Sequence, residues 1–235
     1  MGSQALSPMI RFERVSKSFD ARPVLDHISL TVNRGEVVGL VGASGAGKTT
    51  LLRLAAGLTH ADAGRVTLDS ARLSYVFQEP RLLPWRTAAD NIAAAMYAAG
   101  IPTSEAREAA LEWLYKVGLG GFEGYYPAHL SGGMQQRVAL ARAFSIHPDI
   151  LLLDEPFSSL DDSTRRELLG ILRQLIRETG CTVLYVTHTL PELLSFATRI
   201  LRLKPPAVLE EVDLDDRQSL LAEALRAFEL PPEPA

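Results

Sequence analysis

Gly42-Ala43-Ser44-Gly45-Ala46-Gly47-Lys48-Thr49 follows the apolar run Val37–Val41 and runs into Thr50-Leu51-Leu52-Arg53-Leu54-Ala55-Ala56. The run before reads as a short buried strand and the segment after as a helix. Glycines at Gly42, Gly45 and Gly47 let the backbone curl until successive N–H groups converge on one point, and the start of the helix adds unpaired N–H groups and partial positive charge. Such a loop cradles the α- and β-phosphates of a nucleoside triphosphate, ATP or GTP. Ser44 and Thr50 belong to the same cradle. Lys48 reaches the β- and γ-phosphates, and the Thr49 hydroxyl is a ligand for Mg²⁺. A Gly-rich turn with a solvated lysine is the competing reading, and the strand before and the helix after disfavour it.

Outward from this loop, Leu73–Phe77, Ile150–Leu153 and Val183–Thr187 are continuous apolar runs bounded by polar or Gly punctuation, the pattern of strands buried on both faces. Ile10–Val15, Ile28–Val32 and Val66–Leu68 alternate with polar residues and read as exposed strands. Helical periodicity marks Thr103–Val117, Gly133–Ser145, Ser163–Thr179 and Leu190–Ala197. Buried strands alternating with helices predict an α/β fold with a mainly parallel sheet and the phosphate loop at a strand's C-terminal end. No buried strand is evident between Gln78 and His147, so a helical subdomain, about 84–146, is inserted there. The expected plan is a leader over 1–8, one domain over 9–205 and a tail over 206–235. Gly2–Pro8 reads as a flexible leader with Met9 as an alternative start, and Leu220–Phe228 as a last short helix.

The 235 residues suit one large domain, and 47% hydrophobic residues are enough for its core. Lys plus Arg number 24 against 28 Asp plus Glu, a net charge of −4 that argues against nucleic acid as partner. Cys181 is the one cysteine, which fits a reducing compartment and a small buried residue at a strand start. No signal peptide is visible. The longest apolar stretch, Ile92–Ile101, is far short of the roughly 20 residues that cross a bilayer. These features read as a cytoplasmic chain that is soluble by itself.

Two further segments carry chemistry. Ile150-Leu151-Leu152-Leu153-Asp154-Glu155 is an apolar strand ending in two carboxylates, and adjacent strand residues face opposite ways. Asp154 is placed to hold Mg²⁺, directly or through water, and Glu155 to polarise a water in line with the γ-phosphate. Leu130-Ser131-Gly132-Gly133-Met134-Gln135-Gln136-Arg137 supplies an N-cap serine, two glycines with open N–H groups and the start of a helix, a second anion site.

Here the chain resembles the ATP-binding-cassette (ABC) ATPases, whose signature is close to Leu-Ser-Gly-Gly-Gln, over roughly Ile10 to Leu203. Met134 stands in the fifth position. The resemblance implies a P-loop NTPase core with an N-terminal antiparallel β-subdomain and an inserted helical subdomain. It assigns Phe19 to adenine stacking, Gln78 to Mg²⁺ and the attacking water, Ser159-Leu160-Asp161 to a loop crossing between paired subunits, and His188 to the γ-phosphate. Thr189 stands where aspartate commonly follows that histidine. The resemblance also implies that Ser131, Gly132 and Gly133 of one chain cover the ATP held by the other, in a homodimer that ATP closes and hydrolysis opens.

The string Val76-Phe77-Gln78-Glu79-Pro80-Arg81-Leu82-Leu83-Pro84-Trp85, with Asn91-Ile92 after it, is similar to the importers of nitrate, sulfonate, taurine and thiamine precursors, although the link from Val66 to Gln78 is shorter than in that group. In cassette proteins this region receives a coupling helix from membrane permease subunits, which places Leu82, Leu83 and Trp85 at a partner surface. It also implies a peripheral position on the cytoplasmic face of the inner membrane and an indirect partnership with a solute-binding protein. A soluble cassette acting on DNA or ribosomes usually carries two cassettes or long insertions. A non-hydrolysing switch conflicts with Glu155 and His188, and an exporter half is normally fused to its membrane domain. A lipid- or metal-type ABC system is the remaining alternative.

Overall fold

The computed structural model describes residues 7–20, 22–70, 72–204 and 208–215. The chain separates into two compact units, Met1–Asp69 with Leu184–Ala235, and Ser70–Val183.

The first unit opens on β1 (Pro8–Phe19) and β2 (Arg22–Asn33), two antiparallel strands. Met9, Ile10, Phe12 and Val15 of β1 and Leu25, Ile28, Leu30 and Val32 of β2 are buried. Several of the residues between them stay exposed, so the sheet is wet on one face. The strands outrun the short alternating segments legible in the sequence because irregularities in register absorb the breaks in alternation; Arg14 and His27 take φ values of 47° and 49° there. The chain continues through β3 (Val37–Val41), buried throughout, and α1 (Lys48–Ala55) to β4 (Ala63–Leu68), which pairs antiparallel with β1. The predicted antiparallel sheet is therefore β2-β1-β4.

After the second unit the chain returns as α6 (Leu190–Leu194), β8 (Arg199–Lys204) and β9 (Val208–Glu211). β8 lies parallel to β3, with Val38 opposite Arg199 and Val41 opposite Arg202. β9 adds an antiparallel edge to β8, secured by a Lys204–Glu210 ion pair of 2.6 Å. The segment expected to begin a tail at 206 thus carries a strand. Pro8 opens β1 rather than closing a leader, and the Arg34 N–H donates to Ser7 O at 2.9 Å. The rest of the leader and the expected helix Leu220–Phe228 lie outside the described residues. Gly39 on β3 allows α6 to approach: a Cβ there would stand 2.5 Å from a methyl group of Leu193.

The second unit holds β5 (Leu73–Val76) parallel to β6 (Ile150–Asp154), with Leu73 opposite Ile150 and Val76 opposite Leu153. Between them lie the helices α2 (Ala88–Ala98), α3 (Thr103–Lys116) and α4 (Gly132–Phe144), with a 3₁₀ turn at Pro127–His129. Helices, and no strand, fill this stretch, as the sequence predicts. α2 starts before the alanine-rich run because Thr87 caps it, accepting the Asp90 N–H at 3.2 Å.

α5 (Asp162–Thr179) is amphipathic. It buries Leu168, Leu169, Leu172, Leu175 and Ile176, is capped by Asp161, and is stopped by Gly180 at φ 63°. Cys181, buried as expected, precedes β7 (Thr182–Val186), whose residues straddle the division between the units in the chain; burial pushes its thiol up. The parallel pairs with intervening helices make this an α/β fold with a mixed, mainly parallel sheet. Among the described residues, no helix is long and apolar enough to cross a membrane.

Candidate nucleotide site

In the first unit, β3 delivers the chain into the loop Gly42–Gly47. Gly45 and Gly47 take φ values of 77° and 100°, which side chains rarely tolerate. Gly42 is required by crowding instead, since a Cβ there would meet Leu203 O at 2.5 Å. Gly47 is the N-cap of α1 and provides no side-chain cap, so the helix start relies on the loop itself. Ala43, Ser44 and Gly45 are exposed at the loop tip, and Thr49 and Thr50 are half-buried. Lys48 is 4% exposed, and its ammonium donates to Gly42 O at 2.9 Å and Ala43 O at 3.1 Å. The loop is thus drawn around the Lys48 ammonium.

Two other expected residues belong to this unit. Phe19 closes β1 with its ring exposed and the Lys17 ammonium 5.2 Å from the centroid. A large exposed aromatic beside a cation is a natural platform for a planar base. His188 follows β7 and is exposed between two buried neighbours, Thr187 and Thr189.

In the second unit, β6 ends on Asp154. This carboxylate is 7% exposed, and its Oδ2 accepts the Tyr75 hydroxyl at 2.8 Å. Glu155 lies beyond the strand with φ 48°. The two carboxylates are therefore set apart by a left-handed turn and not, as the sequence argument had it, by strand alternation. A non-glycine residue in this region carries strain that its surroundings must hold. Here Glu155 O accepts both the Ser158 N–H at 3.3 Å and the Ser158 hydroxyl at 3.1 Å. The Gln78 amide donates to the same Ser158 oxygen at 3.2 Å, so one serine ties Gln78 to the turn that carries Glu155.

Ser131 is the N-cap of α4 and accepts the Met134 N–H at 3.3 Å, as the sequence predicts, leaving Gly132 exposed at the helix start. The Cβ of any larger residue at Gly133 would meet Thr164 at 2.6 Å. Asp161 caps α5. Hydrogen bonds from the Ser163 hydroxyl and the Thr164 N–H hold its carboxyl well below the usual carboxylate range. Arg165 braces the loop before it, donating to Leu160 O at 2.7 Å and Phe157 O at 3.3 Å.

The loop Leu82–Trp85 presents Trp85, 71% exposed, beside an exposed Pro84, with Leu82 and Leu83 half-buried. Asn91, fully buried on α2, fixes this loop. Its carbonyl accepts the Leu83 N–H at 2.7 Å, and its amide donates to Leu83 O, Arg86 O and Thr87 O. Arg142 on α4 holds the preceding turn, donating to Pro80 O at 2.7 Å and Arg81 O at 2.8 Å, and burial lowers its guanidinium from its ordinary value. Sequence reasoning assigned no role to Tyr75, Asn91, Arg142 or Ser158. Of these, Asn91 alone was singled out there, in the importer-like string that ends on Asn91-Ile92.

The family model described as ABC transporter matches residues 25–158. The taurine import ATP-binding protein TauB of Yersinia pestis is 39% identical over 235 residues, 96% of this chain and 92% of its own length. The aliphatic sulfonates import ATP-binding protein SsuB of Cupriavidus pinatubonensis is 44% identical over 90% of this chain and 70% of its own. The Fe(3+) ions import ATP-binding protein FbpC of Agrobacterium fabrum is 43% identical over 82% of this chain, which spans 58% of that relative's length. Among solved structures, the dimeric post-hydrolysis state of the ATP-binding cassette MJ0796 bound to ADP and Pi is similar, with a TM-score of 0.78, 32% identity and coverage of 88% of this chain and 99% of that one. The chain belongs to the ABC transporter family, as one of its ATP-hydrolysing subunits.

Proposed function

We propose that this chain is the energy-coupling subunit of an importer, acting as a homodimer on the cytoplasmic face of a membrane and driving a permease that receives solute from a binding protein. The observation that carries the reading is the presence in one chain of two distinct glycine-bearing helix starts, the loop around Lys48 and the glycines capped by Ser131, each suited to an anion. One ATP uses one of each, and two chains arranged head-to-tail satisfy both. Phe19 stacks on adenine. The N–H groups of the Gly42–Thr50 segment and the Lys48 ammonium hold the phosphates, while Ser131, Gly132, Gly133 and Asp161 serve the nucleotide of the partner chain. Glu155 orients the attacking water and accepts its proton, Gln78 positions that water, and His188 holds the γ-phosphate.

Magnesium fits the donors present. The Thr49 hydroxyl, the buried Asp154 carboxylate and the Gln78 side chain offer hard oxygens. Phosphate and water would supply the remaining ligands of such an ion. When bound, Mg²⁺ neutralises charge on the β- and γ-phosphoryl oxygens.

The imported solute is a sulfonate such as taurine. The support is the near end-to-end alignment with a taurine import protein, against the partial coverage of the iron relative. Iron(III) import is the second reading, supported by 43% identity over 82% of this chain against 44% over 90% for the sulfonate relative. Reconstitution with its permease and binding protein in vesicles should give ATP-dependent uptake of labelled taurine. Uptake of iron(III) and not of taurine would reverse the order of the two readings.

A further inference from the structure

Thr189 occupies the place after His188 where the family commonly has aspartate, and its side chain makes no cap to α6. The turn that presents His188 is held by other groups. Glu192, 6% exposed, accepts the Tyr185 hydroxyl at 2.6 Å and the Thr187 hydroxyl at 3.0 Å on the same carboxylate oxygen. Both hydroxyls donate to that oxygen, so both point their protons at it. The Thr187 oxygen then turns its lone pairs outward, and the Thr189 N–H donates to it at 3.1 Å. The Glu192 N–H closes the ring by donating to Thr189 O at 3.2 Å.

This ring ties together the residues on either side of His188. The residue on each side of it is buried and bonded, and the imidazole is the exposed member. Thr187 is also tied to the strand that feeds the phosphate loop, its N–H donating to Leu40 O at 3.1 Å. The helix that carries Glu192 is seated on the same strand through the Gly39–Leu193 approach. A buried acid is costly unless its oxygens are satisfied, and here one of its donors, Thr187, adjoins the histidine.

We propose that Glu192, acting through the Thr187 hydroxyl, is the positioning residue that aims His188 at the γ-phosphate. This rests on the role given above to His188. Thr187→Val removes the hydroxyl at nearly constant volume and breaks the chain of bonds on both sides.

The test is steady-state ATP hydrolysis by the full chain, with affinity for a fluorescent ATP analogue and thermal unfolding measured in parallel. Thr187→Val should lower kcat about tenfold with affinity within twofold, as a slight misplacement of a catalytic group does. Thr187→Ser should restore turnover. In a His188→Ala background, Thr187→Val should have no further effect, because the group it aims is gone. An equal loss in both backgrounds, or a loss matched by weakened nucleotide affinity, would mean that the ring is merely structural. Unchanged turnover in Thr187→Val, with His188→Ala impaired, would also overturn the proposal. Unchanged turnover in His188→Ala would remove the reading beneath it. Should Thr187→Val fail to fold, Glu192→Gln, which weakens the acceptor of the Thr187 hydroxyl, decides the matter by the same comparison.

Discussion

Glu155→Gln is expected to lower ATP turnover by roughly 10²–10⁴-fold, the usual cost of a lost general base, while nucleotide affinity stays near that of the unaltered chain. The amide keeps the size and the left-handed backbone of Glu155, whose strain of about 1–3 kcal/mol is borne by the two bonds from Ser158. It cannot take a proton from water. Phosphate release under single-turnover conditions, beside equilibrium binding of an ATP analogue, separates the two effects. Turnover within a few-fold of normal would remove Glu155 from the mechanism and pass the role of base elsewhere.

The second large effect lies outside the residues that carry the chemistry. Leu83→Asp combined with Trp85→Ala should leave hydrolysis by the isolated chain nearly unchanged, yet abolish co-purification with the permease and all coupled uptake. Trp85 is held out to water at 71% exposure by a loop that Asn91 fixes through four hydrogen bonds. Exposed aromatic surface on so rigid a support is what a partner surface needs. The loop follows Gln78 within a few residues, and Arg142 grips the turn between them. Force applied at Trp85 therefore has a short path to Gln78. Continued uptake by the double variant would place docking elsewhere.

How much of this was legible in the sequence depended on the range of the interactions involved. The shape of the Gly42–Gly47 loop was legible because its pattern is local: glycine at set positions, then lysine and a hydroxyl at a helix start. β3 was legible to the residue and β6 nearly so, since strands buried on both faces are unbroken apolar runs. Ser131 as a cap was equally local.

The end of the strand before Glu155 was not legible. Period-two alternation treats Glu155 as the next strand residue, but the strand has already ended and the Glu155 backbone is left-handed, at φ 48°. Tyr75 and Asp154 are 79 residues apart, and Arg142 reaches back 62 residues to Pro80; no local pattern announces such pairs. β9 was hidden because Val208-Leu209 is too short an apolar run to stand out from its acidic surroundings, and its pairing with β8 supplies what periodicity lacks. Glu192 left one sign, a lone acid inside Leu190-Pro191-Glu192-Leu193-Leu194.

The account stands on two chains closing around two ATP molecules, and the most direct measurement is the mass of the Glu155→Gln chain in solution with and without MgATP. Slow hydrolysis should trap the closed state, so light scattering after size exclusion should give a dimer with ATP and a monomer with ADP. Ser131→Arg, which fills the second anion site with a cation too bulky for it, should stay monomeric with ATP while binding the nucleotide normally. A chain that remains monomeric with saturating MgATP, or a Ser131→Arg variant that dimerises as readily as its parent, would contradict the head-to-tail arrangement.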